Sequence, residues 1–265
     1  TLISKKGIFY TGLLSSVKSF CEDILSAKCK VIDTRTPPVS FTPEEVDELI
    51  EEKMSEANIT LRSYQKSALK KAILRQRGTY EWPTGSGKTI LFTSILHCLN
   101  LKSLIVVGKV DLAVQIKEEL EFFLGEKIGL IGGGHTDIQR VTITITQAAT
   151  RKSKKQDVSS VEVMSYFSEV ECLIFDECHH LQAKTWGHIS EWCPNAFYRF
   201  GFTASYLTSK ISKASKYVDE YGEIRYKIMS AAKDAVILRT HTGPVISKIP
   251  ISKLIEKGYL AKPIV

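Results

Sequence analysis

The stretch Thr79-Tyr80-Glu81-Trp82-Pro83-Thr84-Gly85-Ser86-Gly87-Lys88-Thr89 decides the fold. Thr79 to Trp82 reads as a short strand, and from Lys88 to Leu99 apolar residues recur at helical spacing. A strand, a glycine-rich turn and a helix form the setting in which backbone N–H groups wrap a phosphate and the helix N-terminus adds partial positive charge. Thr84, Gly85, Ser86 and Gly87 supply that loop. Lys88 is placed to reach the β and γ phosphates of a nucleotide, and the Thr89 hydroxyl to sit on Mg²⁺. The strict pattern G-x-x-x-x-G-K-[ST] fails at its first position, which here is Trp82.

Outward from this loop, Thr60 to about Thr203 alternates helical patterns with short β-branched runs, which predicts an α/β domain with a central parallel sheet. Strands are expected at Thr79–Trp82, Leu104–Val107, Ile128–Ile131, Val141–Ile145, Cys172–Phe175 and Phe197–Phe202. Crossover helices are expected at Lys88–Leu99 and Asp111–Phe123, the second with Leu112, Ile116, Leu120 and Phe123 on one stripe. The run Arg151–Ser160 is polar, basic and aperiodic, hence a surface loop. Gly132-Gly133-Gly134-His135 reads either as a hairpin turn or as a place where a DNA backbone approaches closely.

The apolar strand Cys172–Phe175 delivers Asp176 and Glu177 at its carboxyl end, where parallel sheets bind ligands. Asp176 suits Mg²⁺, and Glu177 suits orienting and deprotonating the water that attacks a γ-phosphate. With Lys88 these are the candidate catalytic residues, and Thr89 and Asp176 the candidate metal ligands.

Asp176-Glu177-Cys178-His179 resembles the DExH form of motif II in helicases of superfamily 2. Four further strings resemble that family's motifs in the right order, over about 145 residues. Leu61-Arg62-Ser63-Tyr64-Gln65 resembles the motif that reads adenine, which implies ATP contacts from Arg62 and Gln65. Val107-Gly108-Lys109 through Gln115 resembles motif Ia, and Thr146-Gln147 the next nucleic-acid-facing motif. Gly201-Phe202-Thr203-Ala204-Ser205 resembles motif III. The resemblance implies coupling roles for His179, Thr203 and Ser205, and DNA contacts from Lys109, Gly133, Thr146 and Gln147. It also explains Trp82, because the first glycine of the loop is often absent in this superfamily.

The resemblance implies a RecA-like first motor domain, with ATP and Mg²⁺ as cofactors and double-stranded or branched DNA as partner. Residues 60–265 form that domain, 39–59 a helical connector, and 1–38 part of a small DNA-binding domain. Pro43–Met54 reads as an acidic helix that bridges to the motor, its charge making it a solvated connector and not a DNA contact. In the N-terminal piece, strands at Ile8–Tyr10 and Lys30–Ile32 flank a helix with Leu13, Val17, Phe20 and Ile24 on one face. Lys5, Lys6 and Lys18 are its candidate contacts to duplex DNA. The ending around Tyr221-Gly222-Glu223-Ile224 and Ile251–Leu260 resembles the UvsW-type phage branch-migration helicases and the nucleotide-excision-repair helicase branch. A string of the form Q-x-x-G-R-x-x-R is missing, so a second RecA-like domain of the full-length chain is expected to supply the arginine fingers. This half alone should then bind ATP and hydrolyse it poorly. A restriction-complex motor, an RNA helicase fragment and a nucleotide-gated binding module that never turns over are the competing readings.

Composition is compatible with all of this. The formal net charge is +7, which favours a polyanionic partner. No apolar run approaches a membrane span, and no secretion signal is visible, so an intracellular, soluble protein is expected. The six cysteines show neither paired nor zinc-type spacing, which argues for reduced, buried thiols and against a structural metal. Thr1 is not a start methionine, so the chain is expected to begin inside a longer protein.

Overall fold

A computed structural model describes residues 7–146, 158–204, 215–218, 224–227 and 230–261. Ten strands are present among them: β1 Arg77–Glu81, β2 Ser103–Val107, β3 Gly129–Gly132, β4 His135–Asp137, β5 Val141–Ile145, β6 Cys172–Asp176, β7 Tyr198–Thr203, β8 Ser215–Val218, β9 Ile224–Lys227 and β10 Val245–Lys248. Eight of them form one sheet in the order β10-β1-β7-β6-β2-β5-β3-β4, parallel throughout except for the β3–β4 hairpin. β8 and β9 form a separate antiparallel pair. This is the α/β fold with a central parallel sheet that the alternation predicts, and it is RecA-like as the resemblance implies. Every predicted strand of the motor domain is present, with ends displaced by at most two residues.

The central strands are buried on both faces, as parallel strands covered by helices must be. One core lies on the side of the Lys88–Leu99 and Val110–Leu124 helices. The other is built from Tyr166, Phe167, Phe175, Trp186 and their neighbours. Four cysteines, Cys98, Cys172, Cys178 and Cys193, belong to these cores, but Cys21 and Cys29 are only half-buried.

The helix predicted at Pro43–Met54 runs Pro43–Glu56 and starts with a capping box. Thr42 Oγ1 accepts from the Glu45 N–H, and the Glu45 carboxylate accepts from the Thr42 N–H at 2.6 Å. It is not solvated along its length. Val46, Ile50 and Met54 are buried in the motor core, and only the acidic face meets water. The net charge of the segment hides an amphipathic stripe.

Three other expectations need correction. The N-terminal strands do not form: Phe9 makes an isolated bridge and Lys30–Ile32 has no regular structure, since no described strand runs alongside to supply ladder partners. The intervening helix does form, as 3₁₀, α and π turns across Thr11–Ile24, but its apolar face is not inward. Leu13 is buried while Phe20 and Ile24 are 54% and 67% exposed. The expected loop Arg151–Ser160 ends early, because Val158–Ser160 already belong to the helix Val158–Glu169; its first seven residues lie outside the described residues.

Gly132-Gly133-Gly134-His135 is a hairpin turn. Gly132 pairs with His135, and Gly133 and Gly134 between them have φ of 62° and 91°, which suits a two-residue connection of matching twist.

Candidate functional site

Glycine is required twice in the phosphate loop. Gly85 and Gly87 have φ of 78° and 82°, and a Cβ on Gly87 would lie 2.4 Å from Gln65 Nε2. Gly87 caps the helix that Lys88 begins. Trp82, the departure from the strict pattern, is fully buried beyond the end of β1. Its indole N–H donates to Ser247 Oγ at 2.9 Å, and its ring meets Tyr64 and Tyr80 edge-on. At this position the side chain anchors the loop to the core, so a glycine has nothing to contribute.

β6 lies two strands from β1 in the sheet, with β7 between them, and carries the acidic pair beside the loop. Lys88 Nζ is 3.1 Å from Glu177 Oε1. Glu177 has φ of 52°, a left-handed conformation uncommon outside glycine, which turns the chain sharply after Asp176. Asp176 is buried, its Oδ1 has no hydrogen-bond partner, and burial, opposed by Lys88 and reinforced by Glu177, pushes its carboxyl above the ordinary range. Buried carboxylates are costly unless paired or metal-bound. Asp176 and the hydroxyl of Thr89, in the first helical turn, are hard oxygen donors, and a divalent cation that takes its remaining ligands from phosphates and water suits that set. Among the described residues no group of three or more His, Cys, Asp and Glu side chains forms a metal cluster by itself.

His179 Nδ1 is 3.0 Å from Thr203 Oγ1 and 3.2 Å from Glu177 Oε2. Burial, then His180, lowers its pKa, so at neutral pH the ring is an uncharged hydrogen-bonding link between the acidic pair and the end of β7. The Trp82 N–H donates to the Thr203 carbonyl at 2.9 Å, so the same β7 residue also touches the start of the loop. Ser205 lies outside the described residues.

On the other flank, Tyr64 OH donates to the Ser86 carbonyl at 2.7 Å. Gln65 is buried. Its Oε1 accepts from the Arg62 N–H at 2.9 Å, and Nε2 stands 3.5 Å from the carbonyls of Ser86 and Gly87, at the weak limit of a hydrogen bond. The Arg62 guanidinium lies 4.1 Å over the ring of Tyr259. Leu260 rests on the loop, where a Cβ on Gly85 would come within 2.7 Å of Leu260 Cδ2. Sequence reasoning gave neither Tyr259 nor Leu260 a place at the loop, because the contact joins segments about 175 residues apart and no local pattern marks it.

The remaining candidates stand at the carboxyl ends of the other strands. Lys109 is exposed just after β2, Gly133 is exposed at the β3–β4 turn, and Thr146 is buried after β5. Val110 joins the first two, lying 3.5 Å from where a Gly133 Cβ would be. Gln147 lies outside the described residues, as do Lys5 and Lys6; Lys18 is at the surface beside Glu22, 3.7 Å away. The loop, Thr203 and the acidic pair stand at the ends of β1, β7 and β6, and Lys109, Gly133 and Thr146 at the ends of β2, β3 and β5 of the same sheet edge.

A glycine-rich loop and an acidic pair on near strands of a parallel, RecA-like sheet form the arrangement of the P-loop nucleotide-binding class. Residues 58–207 match the family described as Type III restriction enzyme, res subunit. The chain is similar to the DNA 3'-5' translocase XPB2 of Sulfurisphaera tokodaii, 31% identical over 147 residues, 56% of this chain and 31% of that protein. It is similar also to the ATP-dependent DNA helicase uvsW of Enterobacteria phage T4, 23% identical over 238 residues, 84% of this chain and 45% of that protein. A crystal structure of the T4 UvsW helicase aligns with 93% of this chain and 81% of its own, with a TM-score of 0.64 at 18% identity, a likeness of fold. The chain belongs to the Type III restriction enzyme res-subunit family, within helicase superfamily 2. It spans less than half the length of these two curated relatives. Among the described residues no helix is long and apolar enough to cross a membrane.

Proposed function

We propose that this chain is the nucleotide-binding half of an ATP-dependent DNA helicase or translocase that acts on duplex or branched DNA in recombination, replication or repair inside the cell. The observation that carries the reading is the meeting of Lys88 and Glu177 at 3.1 Å beside the buried, unpaired Asp176 oxygen. In this reading Lys88 leaves Glu177 for the triphosphate, and Asp176 and Thr89 would hold a Mg²⁺ ion that would supply neutralising charge to the phosphates. Glu177, released from the lysine, orients and deprotonates the attacking water. His179 passes the change at Glu177 to Thr203, with Ser205 beyond it in the same motif. The backbone of Thr84, Gly85, Ser86 and Gly87 wraps the phosphates, and Arg62 and Gln65 read the adenine; the weak Nε2 contacts leave the Gln65 N–H groups the side of the amide with capacity to spare.

Lys109, Gly133, Thr146 and Gln147 face DNA, and the relatives' names support DNA as the partner. Residues 60–265 are the first RecA-like domain, 39–59 its helical connector, and 1–38 part of a DNA-binding domain. A second RecA-like domain of the full-length chain supplies the arginine fingers. The test is isothermal calorimetry with Mg·ATP and a Glu177→Gln variant. Binding should persist in the variant, while hydrolysis disappears once the second domain is joined. Full turnover by the variant would move the base elsewhere.

A further inference from the structure

At the foot of the sheet, remote from the phosphate loop, β1 and β7 bring two arginines side by side: Arg77 and Arg199 are register partners. Like charges so placed repel. Arg199 is absorbed by the protein, donating to the Ala196 and Ser190 carbonyls at 3.0 Å each, to Ser190 Oγ at 2.7 Å and to the Cys193 carbonyl. Arg77 is not. Its Nε is buried without a hydrogen-bond partner, and burial, then Arg199 and Arg35, pushes the guanidinium down to about 9 against the opposing pull of Asp33. Asp33 is itself committed to Arg35, at 2.9 and 2.6 Å. Glu191, near the other side of Arg77, is an exposed acceptor for Tyr10 OH at 3.2 Å.

Arg77 also lines a cavity of about 530 Å³ with Arg35, Arg75, Phe9, Leu14 and Ile246. The N-terminal segment forms one wall, seated so tightly on the helix Ser230–Thr242 that a Cβ on Gly12 would fall 1.9 Å from the Arg239 carbonyl oxygen. Arg75 is exposed in the last turn of the helix Ser63–Arg75 at the cavity's rim. A cation withdrawn from water without an anion is costly, and Arg77 is half-buried with its Nε fully enclosed. Here three guanidinium groups, Arg75 exposed at the rim, share a chamber that offers them one carboxylate.

We propose that this cavity binds a phosphate group between Arg77 and Arg75, with the body of a phosphate ester lying against Phe9, Leu14 and Ile246. Guanidinium forks match phosphate oxygens two at a time, and the two negative charges of a monoester answer the two uncompensated arginines. The volume exceeds what inorganic phosphate needs, so the chamber has room for the ester. The phosphate comes either from a free ester or from a DNA backbone.

Thermal unfolding in a Lys88→Ala background, where the catalytic loop no longer responds, tests this. Inorganic phosphate, ribose 5-phosphate and a short DNA duplex are titrated at constant ionic strength. A saturable rise in Tm is expected with ribose 5-phosphate, and a weaker one with inorganic phosphate, if the source is a free ester. A rise with the duplex alone assigns the group to DNA where Arg77→Met and Arg75→Ala both reduce it, since the duplex is also expected on the Lys109 edge. Arg77→Met should abolish the response to either small phosphate, reduce the response to the duplex and, without ligand, melt above its parent, because a half-buried cation whose Nε has no partner has gone. Arg75→Ala, a surface change that leaves the fold intact, should weaken the apparent affinity at least several-fold, and it decides the matter if the Arg77 variant does not fold. No response to any of the three, or a response indifferent to both arginines, overturns the proposal. So does a ligand-free Arg77→Met protein that folds but melts below its parent, which would show that the guanidinium is already satisfied. The proposal is independent of the nucleotide site: its failure leaves Lys88, Asp176 and Glu177 untouched.

Discussion

The two halves of the sheet's carboxyl edge are built differently. Over β1, β7 and β6, side chains are locked to one another: Lys88 to Glu177, His179 to Thr203, Tyr64 to Ser86, Trp82 to Ser247. Over β2, β5 and β3, the candidates are one exposed lysine, a glycine turn and a threonine at a strand end. Phosphoryl transfer needs particular atoms held in place before the ligand arrives. Gripping a DNA backbone irrespective of sequence needs only charge and close access. Preorganisation, more than residue type, separates the half proposed to be catalytic from the half proposed to hold DNA.

Breaking the locked half should cost most. Lys88→Ala is expected to weaken Mg·ATP binding by about 100-fold or more, since it removes charge-assisted bonds to phosphate. DNA affinity at fixed salt should barely move, and calorimetry with each ligand in turn checks both halves of that statement.

The locked half also has a buried support that acid should undermine. His241 packs near Gly187 in the helix that also contacts the turn after Glu177. Burial, then Arg199, lowers its pKa to about 4. An unfolded chain protonates this histidine from about pH 6.5 downward, but the folded one resists until about 4. Stability therefore falls as pH drops through that window, by up to about 3 kcal/mol from this group. Urea unfolding of wild type and His241→Gln at pH 7 and 4.5 should show the variant losing less; parallel losses would remove His241 from the explanation.

A subtler change separates function from stability in the same half. Burial raises the pKa of Asp176, so the folded state holds its proton more tightly and pays most at high pH, above the raised value. Asp176→Asn should stabilise the ligand-free protein by on the order of 1 kcal/mol at neutral pH. It should also abolish the Mg²⁺ dependence of nucleotide binding. Denaturant midpoints with and without Mg²⁺ measure both, and a destabilised variant would argue that the carboxylate is satisfied.

The open half should give the smallest effect. Lys109→Ala is expected to weaken DNA binding a few-fold and to reduce the log–log salt slope by about 1, with ATP affinity unchanged. A fluorescence-anisotropy titration across several salt concentrations would read this, and an unchanged slope would take Lys109 off the DNA.

Much of the locked half was legible in the sequence because its chemistry is local. The loop, its strand and its helix are contiguous, and Asp176-Glu177 follows an unbroken apolar strand. Burial on both faces makes such strands stand out, so only their ends shifted. What escaped was non-local. The anchoring of Trp82 to Ser247 through its indole N–H joins segments that no local pattern links. Tyr259 and Leu260 reach the loop only through the turn after the short helix Ile251–Glu256, and Arg77 meets Arg199 only through strand register. The N-terminal strands failed for the complementary reason: periodicity states what a segment can become, but a ladder needs a neighbour. The acidic helix showed its charge in composition and its buried stripe only at helical period.

The most direct test is a structure of the protein with Mg²⁺ and a non-hydrolysable ATP analogue. Lys88 Nζ is expected to leave Glu177 for a phosphate oxygen, and Asp176 to turn its unpaired oxygen toward the cation's water shell. Nucleotide bound elsewhere, with the Lys88–Glu177 contact still at 3.1 Å, would contradict this.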